Sequence, residues 1–122
     1  MRDYQKTFYA CVKELTDRGY GIGTIKEVKI GDDEFSARYD GFCVLNDDGT
    51  YTITIAPIFF REDCPWRLIR EVIFHELLHT IRGCMNHGVP WQTYAGFVDR
   101  DFRTNILYNH IHRVRNLYGF KP

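Results

Sequence analysis

Residues 63–83 read DCPWRLIREVIFHELLHTIRG. Trp66, Ile69, Val72, Ile73, Leu77 and Ile81 recur at three- and four-residue intervals, the period of a helix with an apolar face. Asp63 stands where a side-chain cap belongs, and Pro65 falls in the first turn, where its missing N–H costs nothing. Gly83 stands where a helix stops. The spacing therefore predicts a helix capped by Asp63, running through Ile81 and ended by Gly83. Inside it lies His75-Glu76-Leu77-Leu78-His79, flanked by Val72, Ile73 and Phe74. A helix this apolar packs into a core. Burying two imidazoles and a carboxylate there without partners costs several kcal/mol, a cost that a shared metal ion would remove.

The sequence on either side completes the fold class. Residues 3 to 18 carry Tyr4, Phe8, Cys11, Val12 and Leu15 at helical spacing, with Asp3 placed to cap and Gly19 to stop. Residues 21 to 60 read as extended chain. Val28 and Ile30 belong to a first strand, and Phe35, Ala37 and Tyr39 alternate with polar residues. The parity shifts at Asp40-Gly41, which predicts a tight turn or bulge, so that Phe42 and Val44 carry the apolar face. Asn46-Asp47-Asp48-Gly49 is a turn signal before Tyr51-Thr52-Ile53-Thr54-Ile55, which alternates cleanly. A third helix opens near Pro90 with Trp91, Tyr94, Val98 and Phe102 on one stripe. Its phase drifts over residues 101–105, which leaves open whether it continues through Ile106, Ile111, Val114 and Leu117. The expectation is one α+β domain over residues 1–122: an N-terminal helix, an antiparallel sheet of about three strands, the HExxH helix and a long following helix.

Composition narrows the function classes. The chain has 122 residues, 44% of them hydrophobic, with nine Phe, eight Tyr and two Trp, enough for a core and too apolar for disorder. Lys plus Arg equals Asp plus Glu at sixteen each, so no global field steers it toward nucleic acid or an anionic membrane. No apolar run is long enough to span a bilayer, and the N-terminus lacks a signal-peptide core. Four scattered cysteines, Cys11, Cys43, Cys64 and Cys84, form no CxxC pair and read as reduced thiols of a cytoplasmic protein.

HExxH carries the chemistry. At about 100° per residue, positions four apart differ by about 40°, so His75 and His79 leave one face and can grip one ion. Zinc suits imidazole nitrogen, and a catalytic site needs three protein ligands with the fourth place left to water. Glu76 lies beside the first ligand, where a carboxylate can act as general base on metal-activated water attacking an amide. For the third ligand His87 is favoured: it lies eight residues past His79, beyond the Gly83 stop, where a reversing chain can bring it back. Glu71 would crowd the pair from the same helix, and Cys84 would bind zinc as a thiolate but is less usual in a hydrolytic site.

His-Glu-Leu-Leu-His-Thr (75 to 80), Gly-Cys-Met-Asn-His-Gly (83 to 88), Trp91 and Tyr94-Ala95 together resemble the SprT-like family of zinc metallopeptidases, to which Spartan-type proteases belong. The resemblance implies His75, His79 and His87 as ligands of one Zn2+, Glu76 as the catalytic base, Trp91 as an aromatic packing position and a zincin-like minimal fold. It covers residues 71 to 95 specifically. The cysteine zinc ribbon that follows the protease domain in many members has no counterpart among these cysteines. The loop from His79 to His87 is also short beside the Spartan type, so the resemblance carries catalytic chemistry rather than action on DNA-crosslinked proteins.

Residues 100–122 carry Arg100, Arg103, Arg113, Arg115 and Lys121 against Asp101, a net +4 that reads first as a solvated helix face and only second as a DNA contact. Residues 32–48 hold six acids and Arg38, a net −5 that reads as a solubilising surface. His110 and His112, two apart, diverge on a helix and make no metal pair. Tyr51–Ile55 is a candidate strand for pairing with substrate backbone, and Tyr94 or Tyr108 a candidate second transition-state stabiliser. The expected function is a zinc metallopeptidase acting on a protein or peptide. The rival is a non-enzymatic zinc module bound to DNA or a protein, in which Glu76 would have no purpose.

Overall fold

The computed structural model describes residues 1–110 and 114–117. Asp3 caps helix α1 (Tyr4–Asp17) by accepting from the Lys6 amide at 3.1 Å, and Gly19, at φ 88°, lets the chain turn away. Phe8, Cys11 and Leu15 bury the inner face of α1 completely. Strand β1 (Ile25–Ile30), helix α2 (Asp33–Arg38), β2 (Gly41–Leu45) and β3 (Tyr51–Ile55) follow, then a 3-10 turn at Pro57–Phe60. Helix α3 (Trp66–Leu78), α4 (Val89–Phe102) and the short α5 (Ile106–Asn109) and α6 (Val114–Leu117) complete the described α+β fold.

The sheet order is β1-β3-β2, and it is mixed rather than antiparallel. β2 and β3 form the antiparallel hairpin expected at Asn46–Gly49, with Cys43 opposite Ile53. β1 runs parallel to β3, with Val28 opposite Ile53. The reason lies in the segment whose Phe35, Ala37 and Tyr39 alternation suggested a strand. Asp32 accepts from the Phe35 amide at 2.8 Å, and Asp33 and Glu34 fill the first turn, where carboxylates favour a helix start. The result is α2, a crossover that carries the chain past β3 instead of a meander. The Asp40-Gly41 parity shift is the junction between α2 and β2, not a bulge within a strand.

Helix α3 organises the core. It touches β2, β3, α1 and α4, and buries Leu68, Ile69, Val72, Ile73, Phe74, Leu77 and Leu78. Each such side chain contributes about 1.5–3 kcal/mol. Its ends differ from expectation. Asp63 is drawn off by Arg61, with contacts of 3.0 and 2.6 Å, so Pro65 occupies the cap position with no side-chain bond. The helix ends at Leu78, a turn before Ile81, and His79 becomes its C-cap residue. Thr80 donates its hydroxyl to the Leu77 carbonyl at 2.7 Å and so satisfies one open acceptor of that end.

The phase drift after α4 is a real break. Arg103 adopts a left-handed conformation (φ 56°), and Asp99 then accepts from the amides of Ile106 and Leu107 at 2.7 and 2.9 Å, starting α5. Of the other positions singled out in the sequence, Ile111, His112, Arg113 and Lys121 lie outside the described residues. Among the described residues no helix is long and apolar enough to cross a membrane.

Candidate metal centre

The last turn of α3 sets His75 and His79 side by side, ring centroids 5.2 Å apart. Gly83, at φ 84°, reverses the chain, and the bend returns His87 to the pair just before α4. Asn86 holds that bend by accepting from the Gly88 amide at 2.8 Å. The His87 ring lies 5.0 Å from His75 and 4.7 Å from His79, and its Nε2 stands 3.0 Å from Nε2 of His75. One ligand nitrogen from each of the three lies within 4.8 Å of the others.

The surroundings fix these rings. Trp91, fully buried on α4, packs against all three histidines at 4.7 to 5.6 Å. The Cys84 carbonyl lies 2.8 Å from Nδ1 of His79, and since a carbonyl can only accept, that nitrogen carries the hydrogen and Nε2 presents its lone pair. Gln92 donates to the His87 carbonyl at 2.7 Å. Burial, first of all, lowers the proton affinity of His75 well below its ordinary 6.5, followed by the neighbouring His79, His87 and His110. Burial likewise lowers His79 and His87. Neutral rings with convergent lone pairs are what a metal requires. Nitrogens of a tetrahedral site with bonds of about 2.0–2.1 Å stand roughly 3.3 Å apart, within the range these three present. The cluster could hold a metal ion.

Glu76 lies on the side of α3 that faces β2. It is 6% exposed, its Oε2 is 4.0 Å from Nε2 of His75, and among the described residues it has no hydrogen-bond donor. Gly41 makes room for it: a Cβ there would come within 2.8 Å of Glu76 Cγ and 3.0 Å of Oε2. Burial, and after it the charge of Asp40, pushes the Glu76 carboxyl up to about 8. A cleft of about 270 Å³ opens on this carboxyl and on the three histidines, walled by Tyr39, Gly41, Phe42, Cys43 and Met85. A larger cleft of about 720 Å³, beside Pro57, Ile58 and Arg61, contains none of these groups.

The rival ligands are accounted for. Glu71 points elsewhere and accepts from the Asn105 amide at 2.8 Å. Cys84 serves the site through its carbonyl rather than its thiol. His110 stacks behind His87 and Trp91, at 5.6 and 5.5 Å, with Nδ1 donating to the Leu107 carbonyl at 2.6 Å, and is not one of the convergent ligands.

Three sequence expectations fail at the rim. Tyr94 packs on Tyr20 and Phe97, and Tyr108 is exposed; neither lines the cleft. Tyr51–Ile55 is the central strand with both edges paired, so it has none to offer a substrate; the strand beside the histidines is β2. Sequence reasoning passed over Gly41 and its neighbours, although the parity shift at Asp40-Gly41 marked the place. Compared with known proteins, the chain matches no family model, no curated protein and no solved structure.

Proposed function

We propose that this chain is a zinc-dependent metallopeptidase with a zincin-like, SprT-like active site. One observation carries the reading: three imidazoles converge, buried at His79, half-buried at His75 and exposed at His87, and a buried carboxyl without a donor among the described residues stands beside them on the rim of a cleft. The donor set favours zinc over magnesium or calcium, which prefer oxygen. It also favours a catalytic over a structural site. Among the described residues no fourth His, Cys, Asp or Glu joins the cluster, whereas structural zinc sites are closed by four protein ligands.

A bound zinc ion would supply the Lewis acidity that acidifies a water and polarises a carbonyl, and its charge would draw the Glu76 carboxyl toward its ionised form. Glu76 then accepts the proton of the attacking water and hands it to the departing amide nitrogen. His79 is held in the metal-binding tautomer by the Cys84 carbonyl, and Trp91 keeps the three rings from spreading. Gly41 leaves Glu76 the space to reach the water. Substrate backbone would pair with the outer edge of β2, which has no strand partner among the described residues and takes the part that the sequence suggested for β3.

The test is digestion of an unfolded protein by zinc-loaded chain, compared with Glu76→Gln. The reading expects cleavage by the first and a loss of about 10²–10⁴-fold in the second, with zinc content equal. Equal rates, or no cleavage by either, would leave a zinc-holding module rather than an enzyme.

A further inference from the structure

The two edges of the sheet are built differently. β1 carries Lys26, Glu27 and Lys29, the charges by which an edge strand normally avoids pairing with other chains. β2 reads Gly-Phe-Cys-Val-Leu, without a charge or a proline. Phe42, Val44 and Leu45 are nonetheless 43, 44 and 50% exposed. An unguarded apolar edge is a hazard unless it has an occupant, and this one runs into the cleft that holds Glu76 and the histidines.

The chemistry of that occupant can be read from the walls. Tyr39 and Phe42 meet edge to face at 5.0 Å, and Phe35 continues the row behind Tyr39 at 5.4 Å, forming an aromatic shelf at the start of β2. Met85 lines the cleft and is 43% exposed. Apart from Glu76, none of the lining side chains among the described residues carries a fixed charge. Among the described lining residues, none besides Glu76 would pair with a charged side chain of a substrate. Asp40, the nearest other acid in sequence, is engaged by Arg115 at 2.7 Å and by the Val114 amide at 2.7 Å. Along an added strand, alternate side chains fall on one face, so every second residue would lie against Phe42 and Val44.

We infer that this edge and shelf select extended segments bearing a bulky apolar or aromatic side chain beside the bond to be cut, of the kind exposed by unfolded protein, and reject charged ones. The inference rests on the peptidase reading for its cleavage consequence, but its binding consequence stands apart from turnover. Tyr39, Phe42 and Met85 are the selecting residues.

The experiment uses fluorescein-labelled ten-residue peptides of Gly and Ser with Phe, Leu, Lys or Asp at the centre. Binding to the zinc-loaded Glu76→Gln protein is followed by fluorescence polarisation. In parallel, the cut sites left by the zinc-loaded natural chain in an unfolded protein are mapped by mass spectrometry. The Phe and Leu peptides should bind about ten- to a hundredfold more tightly than the Lys and Asp peptides. Phe42→Asp, made at an exposed position and placing a guard charge on the edge, should abolish that preference while zinc content stays at the natural level. Met85→Ala should weaken it, and supplies the answer should Phe42→Asp not fold. Cuts should cluster beside bulky apolar residues.

Selective binding without cleavage would overturn the peptidase reading and leave the binding inference standing. Cleavage with no apolar preference would do the reverse. Equal binding of all four peptides would overturn the inference. So would self-association abolished by Phe42→Asp with no peptide bound, because the occupant would then be a second copy of the chain.

Discussion

Glu71 and Glu76 lie five residues apart on α3, both buried, and their surroundings have little in common. Glu71 faces the break between α4 and α5, where one oxygen accepts the Asn105 amide at 2.8 Å and ties that loop to the core helix. Glu76 faces β2 and the cleft; among the described residues it has a histidine nitrogen at 4.0 Å and no donor at all. Burial raises the proton affinity of both. A carboxyl held by a backbone donor works as a structural tie, whereas one without such a donor beside a histidine cluster has, on the proposed reading, a proton to move. Burial does not distinguish the two roles. The partner does.

Substitution should separate them most sharply in turnover. With Glu76→Gln costing about 10²–10⁴-fold in cleavage, Glu71→Gln should leave the rate near that of the natural chain, because an amide oxygen can still accept from Asn105. Glu71→Ala should instead lower stability by about 1–3 kcal/mol in urea unfolding, through the stranded Asn105 N–H. A large loss of turnover in folded Glu71→Gln would erase the distinction.

The pH dependence of the metal-free protein sharpens the comparison next. The Glu76 carboxyl keeps its proton up to about pH 8 in the folded chain and ionises near 4.5 in the unfolded one. Between those values the folded state binds more protons, so stability from this group falls as pH rises through the window. Glu76→Gln removes the fall: it should match the natural chain near pH 4 and exceed it by about 4 kcal/mol near pH 8, read by thermal unfolding in chelator. The histidines act with the opposite sign. Their folded proton affinity is lowered, so the stability they contribute is present above 6.5 and is lost as pH falls below it. What pH dependence remains in Glu76→Gln should have that direction.

The smallest expected effect lies at Gly41. An alanine Cβ would press on Glu76 Cγ at 2.8 Å. Gly41→Ala should therefore lower kcat by about tenfold through a displaced carboxylate, with zinc content and KM changed little. An unaltered kcat would mean that Glu76 does not depend on that space.

The sequence made some of this legible and hid the rest for physical reasons. Helix α1, the β2–β3 hairpin and the start of α4 announce themselves through caps, turn residues and period, because each depends on local contacts. The three histidines are legible for the same reason, two by helical spacing and the third by a glycine reversal. The parallel pairing of β1 was hidden because it depends on α2, six residues whose three-position alternation imitates a strand until Asp32 caps them. The early end of α3 and the loss of Asp63 to Arg61 were hidden because competing side-chain partners leave no mark on periodicity. Gly41 needs a neighbour on another element to explain it, and pairings between elements are what a single sequence shows least.

All of these contrasts presuppose that the three imidazoles hold one ion. Calorimetric titration of metal-free protein with zinc tests this most directly. One ion per chain is predicted, with affinity lowered at least about a hundredfold in His87→Ala and unchanged in Cys84→Ser. A chain that takes up no zinc, or a His87→Ala variant that binds as the natural chain does, would contradict the account.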